Sequence, residues 1–260
     1  MKRIAILVAV VATCSACLRS TTVISVKADG SGTVVQETGL NPQALGMLRG
    51  MAASGEQGKA MPEVFGEEQA RKAAAVMGVQ FVSGEPIKMA DLEGYRARFA
   101  FADVRQLQMK MNQNTTVGLK DDGAAQDPPF GFEFEKRANG GLLTIKVPQQ
   151  SRKAGALGAM PRMPETADAQ SNQQAISMMK LMMQGLFVDI SLEVDGRIVK
   201  TDAPHVNGSR ITLLQLDFNR LLADEAGFQK LQSANDLEAL AGVPGLKVLT
   251  TPKVTVEFQR

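Results

Sequence analysis

The chain has 260 residues, of which 44% are hydrophobic and 22% charged, a balance that excludes disorder and collagen-like repeats and leaves ample chain for a packed core. One His, one Tyr and no Trp exclude a His-rich metal centre or an aromatic cage. The formal net charge of +2 contains no long basic block, which argues against nucleic acid as a partner.

Lys2 and Arg3 precede the unbroken apolar run Ile4 to Ala12, with small residues up to Cys17, the pattern of a secretory signal peptide over residues 1–16. The run is far shorter than the ~20 residues of a membrane-spanning helix, so the expectation is export without a transmembrane segment. Cys14-Ser15-Ala16-Cys17 resembles the lipobox of bacterial lipoproteins, in which the last cysteine is acylated, palmitate being a usual chain, and becomes the mature N-terminus. Counting instead from Cys14 puts Val11 three places upstream, as the motif wants, but puts Thr13 at the cut, where the family takes Gly, Ala or Ser. Cys17 is therefore the better candidate. The alternative is an ordinary signal peptide with two incidental cysteines. Leu18 in place of Asp after the cysteine implies, by the same resemblance, an outer-membrane location facing the periplasm where the cell has an outer membrane. Removal of Lys2 and Arg3 leaves 27 basic against 27 acidic side chains, and the body holds no cysteine pair to staple it.

In the mature chain, Thr22 to Ala28 and Thr33 to Thr38 flank Asp29-Gly30-Ser31-Gly32 and predict a hairpin close behind the anchor. Asn41-Pro42 predicts a capped helix start. Gly66 to Met77, rich in Glu, Ala, Arg and Lys and stopped by Gly78, predicts a helix. Val79 to Val82 and the alternating Tyr95, Ala97, Phe99 and Phe101 predict strands, with Arg96 and Arg98 outward. Those two arginines, with Arg105 and Lys110, form either a basic patch for lipid headgroups or a solvated face. Asp103 predicts a short helix, and residues 112 to 128 a loop.

Phe130, Phe132 and Phe134 alternate ahead of Asn139-Gly140-Gly141, and Leu143, Ile145 and Val147 repeat the rhythm, so a second hairpin with six large apolar groups on one face is expected. Gln149 to Thr166 sustains neither period and reads as a flexible excursion. Ala167 to Gln184, ended by Gly185, is the longest helical candidate. Phe187 to Val194, Asp195-Gly196 and Arg197 to Lys200 predict a third hairpin. Arg210 to Phe218 alternates again. Asn219 to Ala241 reads as helix broken near Gly227, with Asn235 and Glu238 as a capping pair. Val254, Val256 and Phe258 close the chain as a strand that starts at Pro252 or lies at an edge.

These elements predict an α+β fold: an antiparallel sheet built from hairpins with several packed helices. Gly66 to Phe101 and Ala167 to Lys200 share the order helix, Gly, strand, turn, strand. The body at 17–260 is accordingly read as two similar halves, 22–148 and 167–260, joined by the 149–166 segment.

Chemistry-bearing patterns are sparse. His205, with Asp202 and Ser209 nearby, sits in a turn explained by Asn207-Gly208, and no Gly-x-Ser-x-Gly elbow accompanies it. Gly58-Lys59 lacks both the first Gly and the Ser or Thr of a phosphate loop, having Ala53 and Ala60 there. Gly30-x-Gly32 runs into Val35 and a strand, not a helix, which excludes dinucleotide binding. The 14 methionines include Met178, Met179, Met182 and Met183, with Met160 and Met163 upstream. Thioethers suit Cu(I), but Ile176, Met179 and Met183 recur at helical spacing, which points to core packing or to an adaptable apolar surface formed by Ile176, Met179, Met182 and Met183.

Phe187 to Leu214 runs through an apolar strand, a Gly turn, Ile198-Val199-Lys200-Thr201, a loop ending Asn207-Gly208-Ser209, and Ile211-Thr212-Leu213. This order looks like the terminal hairpin of LppM-type domains in envelope lipoproteins, though this chain has Asp195-Gly196 where those carry Pro-Gly, and Leu213 where they carry an aromatic. The resemblance implies a β-rich body with some capacity to bind lipid, and carries over no functional residue. The sequence is thus read as a non-enzymatic envelope lipoprotein, without cofactor or metal, that is held to the membrane through Cys17 and binds an apolar or lipid ligand or an envelope component. The alternative is a structural or assembly lipoprotein that acts through protein contacts.

Overall fold

The fold is that of a computed structural model, which describes residues 18–46, 65–110, 128–148, 183–234 and 236–260. Its strands are β1 (Leu18–Val26), β2 (Gly32–Leu40), β3 (Gln80–Lys88), β4 (Glu93–Phe101), β5 (Gly131–Arg137), β6 (Gly140–Lys146), β7 (Phe187–Val194), β8 (Arg197–Thr201), β9 (Val206–Asn207), β10 (Arg210–Asp217), β11 (Leu246–Val248) and β12 (Lys253–Gln259). The helices are α1 (Glu67–Met77), α2 (Phe218–Ala223) and α3 (Glu225–Ser233), with 3-10 turns at Val104–Gln106 and Glu238–Leu240. The class is α+β but mainly β, and the several packed helices expected from sequence overstate the helical share among the described residues.

Two sheets divide the strands: a large one in the order β11-β10-β7-β1-β2-β4-β3, with β9 beside β10, and a small one in the order β5-β6-β12-β8. Pairing is antiparallel except between β1 and β7, which run parallel in register from Arg19 with Phe187 to Val26 with Val194. Local turn chemistry explains the hairpins. Between β1 and β2, the Asp29 carboxylate accepts the Ser31 N–H at 2.9 Å and its hydroxyl at 2.7 Å, bonds that hold Asp29 below the usual carboxylate range. Gly30 there has φ +85°, and a Cβ on it would lie 2.8 Å from the Phe134 ring of the small sheet.

α1 buries Ala70, Ala74 and Met77, one stripe at four- and three-residue spacing, against β3 and β4. Gly78 ends it in the left-handed conformation. The Arg71 guanidinium lies 4.6 Å over the Phe81 ring, which ties the exposed face of α1 to β3. In the small sheet, Phe132 pairs with Ile145 and Phe134 with Leu143, while Val254 and Val256 flank the same two β6 residues from β12. β12 starts directly after Pro252 and is an interior strand, so of the two expectations for Pro252 the start is the correct one.

Several expectations need correction. Asp195-Gly196 does not close a hairpin: β7 already has β1 and β10 on its two sides, and β8 pairs with β12 in the other sheet. The dipeptide is where the chain crosses between sheets. Gly196 is required there because its φ is +142° and a Cβ would meet the Gln259 carbonyl at 2.2 Å. The unit from Ala167 to Lys200 therefore differs from that of Gly66 to Phe101, whose two strands are neighbours. Both sheets also combine strands from 22–148 and 167–260, so these stretches share ladders.

The helical region after Asn219 breaks at Asp224, not at Gly227, which lies within α3. Gly227 is there for close approach, since a Cβ would meet Asp224 Oδ2 at 2.5 Å. Asn235 lies outside the described residues, and the capping bond to the following 3-10 turn comes from Asp236, whose Oδ1 accepts the Ala239 N–H at 2.8 Å. The segments 112 to 127 and 149–166, and Ala167 to Met182, likewise lie outside the described residues.

One apolar cluster spans both sheets, including Ile24, Val34, Phe99, Ile145, Leu192, Ile211, Val254 and Phe258. Full burial of such side chains contributes ~1.5–3 kcal/mol each.

Candidate functional site

The inward face of β1 changes character along its length. Ile24 and Val26 are fully buried in the apolar cluster, whereas Ser20 and Thr22, also buried, bring hydroxyls to the end where the chain enters. The ladder extends that difference across neighbouring strands. Val34 of β2 and Phe99 of β4 accompany Ile24, while Thr38 and Tyr95 accompany Ser20. Ser20 Oγ and Thr38 Oγ1 share a hydrogen bond of 3.1 Å, which satisfies buried hydroxyls that would otherwise be costly.

At this entry end the registers place Lys88, Glu93, Leu40 and Leu18 in one row, and Arg19, Phe187 and Asp217 beside it. A cleft of about 650 Å³ opens there, with Arg19, Asn41, Asp91, Phe187, Asp217 and Asn219 among its walls. Its polar walls are held by short local bonds. Asn41 Oδ1 accepts the Ala44 N–H at 2.6 Å and starts the turn over residues 42–46. Asn219 Oδ1 accepts the Gly185 N–H at 2.8 Å, and the Leu186 carbonyl accepts the Phe218 N–H at 3.0 Å, so the entry into β7 is tied to the start of α2. Asp217 accepts the Arg220 N–H at 3.2 Å and pairs with the Arg220 guanidinium at 3.4 Å.

Arg19 is engaged differently. Its guanidinium lies 5.6 Å from the centre of the Phe187 ring and forms no ion pair with a described carboxylate. Across the mouth, the β3–β4 turn carries Met89, 53% exposed, next to exposed Lys88 and Asp91. The cleft thus offers a solvent-facing cation on an aromatic ring, carboxamides, the Asp91 and Asp217 carboxylates and apolar surface at Leu92 and Leu186, with the Met89 tip next to it in sequence. Such a mixed wall can meet both a charged head and an apolar body.

A second cleft of about 470 Å³ lies at the far end of β1, ~26 Å away at ~3.3 Å per residue, and includes Lys27, Asp29, Lys136, Arg137 and Arg260. Its arginines are internally matched: Arg137 with Glu135 at 3.0 Å and Arg260 with Asp195 at 3.4 Å.

Of the residues singled out from sequence, Cys14, Cys17, Ile176, Met179 and Met182 lie outside the described residues. Met183 is partly buried against the core and accepts the Leu186 N–H through its carbonyl at 3.0 Å, two residues ahead of the cleft wall at Gly185. The Met face is therefore placed only through this one member. Arg96 is bound by Glu37 at 2.6 Å and Glu85 at 2.7 Å, and Arg105 by Asp103 at 2.6 Å, so the outward row is largely a matched surface, and these carboxylates raise both guanidinium pKa values. Asp202 is turned to Thr255, accepting its N–H at 2.6 Å, and Ser209 lies 3.4 Å from Glu193. His205 accepts the Thr212 N–H through its carbonyl at 3.0 Å. Burial, followed by the nearby Lys247, pushes its imidazole pKa down. Among the described residues, no group of three or more His, Cys, Asp or Glu side chains converges on a metal position.

The residues missed by sequence reasoning are Asp91, Phe187, Asp217 and Asn219, which three separate segments, the β3–β4 turn, β7 and the β10–α2 junction, bring to one end. Arg19 carried a signal, its position two residues after Cys17.

The chain matches no known family profile and no curated protein sequence. Among solved structures, it is similar to the folded domain of LppM from Mycobacterium tuberculosis, determined by NMR, with 10% identity over 95% of this chain and 92% of that one and a TM-score of 0.35. At that identity and TM-score the likeness assigns neither family nor function.

Proposed function

We propose that the protein is a lipid-anchored envelope protein, fixed through an acylated Cys17, whose body binds an apolar or lipid ligand beside the membrane without catalysing a reaction on it. The observation that carries this reading is one of placement. β1 begins at Leu18, the residue after Cys17, and the 650 Å³ cleft opens at that same end of the sheet. More than one acyl chain on Cys17 makes attachment stable, since each buried methylene contributes ~0.8 kcal/mol. Of the described helices, none is long and apolar enough to cross a membrane.

The test is expression of the full-length chain in a bacterial host. Intact mass is expected to show loss of residues 1–16 and addition of fatty acyl groups, and Cys17→Ser is expected to move the protein out of the membrane fraction. Extraction of the purified protein is expected to release a co-purifying amphiphile. A mature chain without acyl mass overturns the anchoring, and an empty extract overturns the ligand reading.

A further inference from the structure

We propose that the cleft end of the large sheet is itself a membrane-docking surface: the protein stands end-on, with the β3–β4 tip around Met89 and the Arg19 guanidinium in the phospholipid headgroup layer. This rests on the anchoring at Cys17 and adds the orientation and the contacting residues.

The argument is one of reach. Consecutive Cα atoms are ~3.8 Å apart, so Leu18 is held within a residue of the acylated cysteine and Arg19 within ~7 Å of it. The headgroup layer on each side of a bilayer is ~5–8 Å deep, so this reach keeps Arg19 in or directly beside it. β1, β2, β4 and β3 follow one another in the sheet, so the hairpin tip lies two to three strand spacings, ~10–14 Å, to the side of the anchor and in the same end row. The tip has the composition that an interface favours: Met89 at 53% exposure beside the Lys88 ammonium. Leu18 and Phe187, both half-buried, present apolar surface in the same row.

The charges specify the lipid. Among the described residues lining this end, the formal charges of Arg19 and Lys88 balance those of Asp91 and Glu93, and Asp217 is ion-paired with Arg220. A balanced set of charges gains little from an anionic surface and fits a zwitterionic one, with lipid phosphate at Arg19. The far end, with Asp29 and Asn139 at its turns, points away from the bilayer.

The experiment uses the full-length acylated protein reconstituted in phosphatidylcholine vesicles. After processing at Cys17 the chain holds no other cysteine, so Met89→Cys and Asn139→Cys each give one thiol for an environment-sensitive fluorophore. Both side chains are exposed. A headgroup spin label is expected to quench the position-89 fluorophore at least twofold more than the position-139 fluorophore, and adding anionic lipid is expected to leave that ratio unchanged. Equal quenching, or stronger quenching at 139, in a sample of verified acyl mass overturns the docking while leaving the anchoring intact. Absence of acyl mass overturns the anchoring itself. Arg19→Glu in the acylated protein is expected to reduce the difference between the two sites, and an unaltered difference removes Arg19 from the contact.

Discussion

The two ends of the large sheet are built from the same strands yet answer different physical demands. At the far end, Ile24, Val26, Val34, Phe99 and Phe101 meet the small sheet through Phe132, Leu143, Val256 and Phe258. At the entry end the same strands turn Ser20, Thr22 and Thr38 inward, and the sheet finishes in an open cleft. Stability is therefore concentrated where dry side chains interlock. The entry end also buries Leu40, Leu92 and Leu186, but adds hydroxyl and carboxamide bonds worth ~1 kcal/mol each and leaves a cleft open for a binding surface.

The sharpest way to break this contrast is a pair of truncations on one strand. Ile24→Ala is expected to lower the unfolding free energy by ~2–5 kcal/mol in a urea titration, through lost burial and the cavity left behind. Ser20→Ala, four residues away on the same face, is expected to cost ~1 kcal/mol or less, because it removes one hydroxyl bond and leaves Thr38 half-buried. Similar losses for both would mean that the entry end is as tightly packed as the far end.

Gly30→Ala ranks between them. At φ +85° an alanine costs ~1–2 kcal/mol for its backbone alone, and the Phe134 ring must also give way. Its thermal shift should exceed that of Gly208→Ala, where φ is +60° but no atom lies within 4 Å of the added Cβ.

The smallest expected effect concerns pH. The folded pKa of His205 lies below its ordinary 6.5, so the unfolded chain binds the proton first as pH falls. The contribution is present above pH 6.5 and is lost as pH falls through the folded value. Urea midpoints of wild type and His205→Gln between pH 7.5 and 5 are expected to converge on acidification. Parallel curves would place the pH sensitivity elsewhere.

Much of this architecture was legible locally. Asp29-Gly30-Ser31 makes its turn with its own side chains, Gly78 ends α1, Asn41 caps the turn after β2, and the alternations from Phe130 to Val147 and from Val254 to Phe258 put their apolar sets inward. Each signal is carried by residues a few positions apart, and a period of two specifies which face is buried. It does not specify which strand lies alongside. Asp195-Gly196 carries the chain between sheets because both flanks of β7 are occupied, a fact held by β1 and β10 and not by the dipeptide.

The cleft is the further case. Arg19, Asn41, Asp91, Phe187 and Asp217 come from distant segments, and only the parallel register of β1 with β7, together with the β1-β2-β4-β3 ladder, brings them to one end. Sequence alone determined the hairpin turns, the inward faces and the expectation of an anchor at Cys17, because these depend on near neighbours and on a linear motif. Tertiary structure decided the partition into two sheets and the position of the cleft, because lateral strand partners are chosen by which apolar faces are left to bury once the local elements have formed.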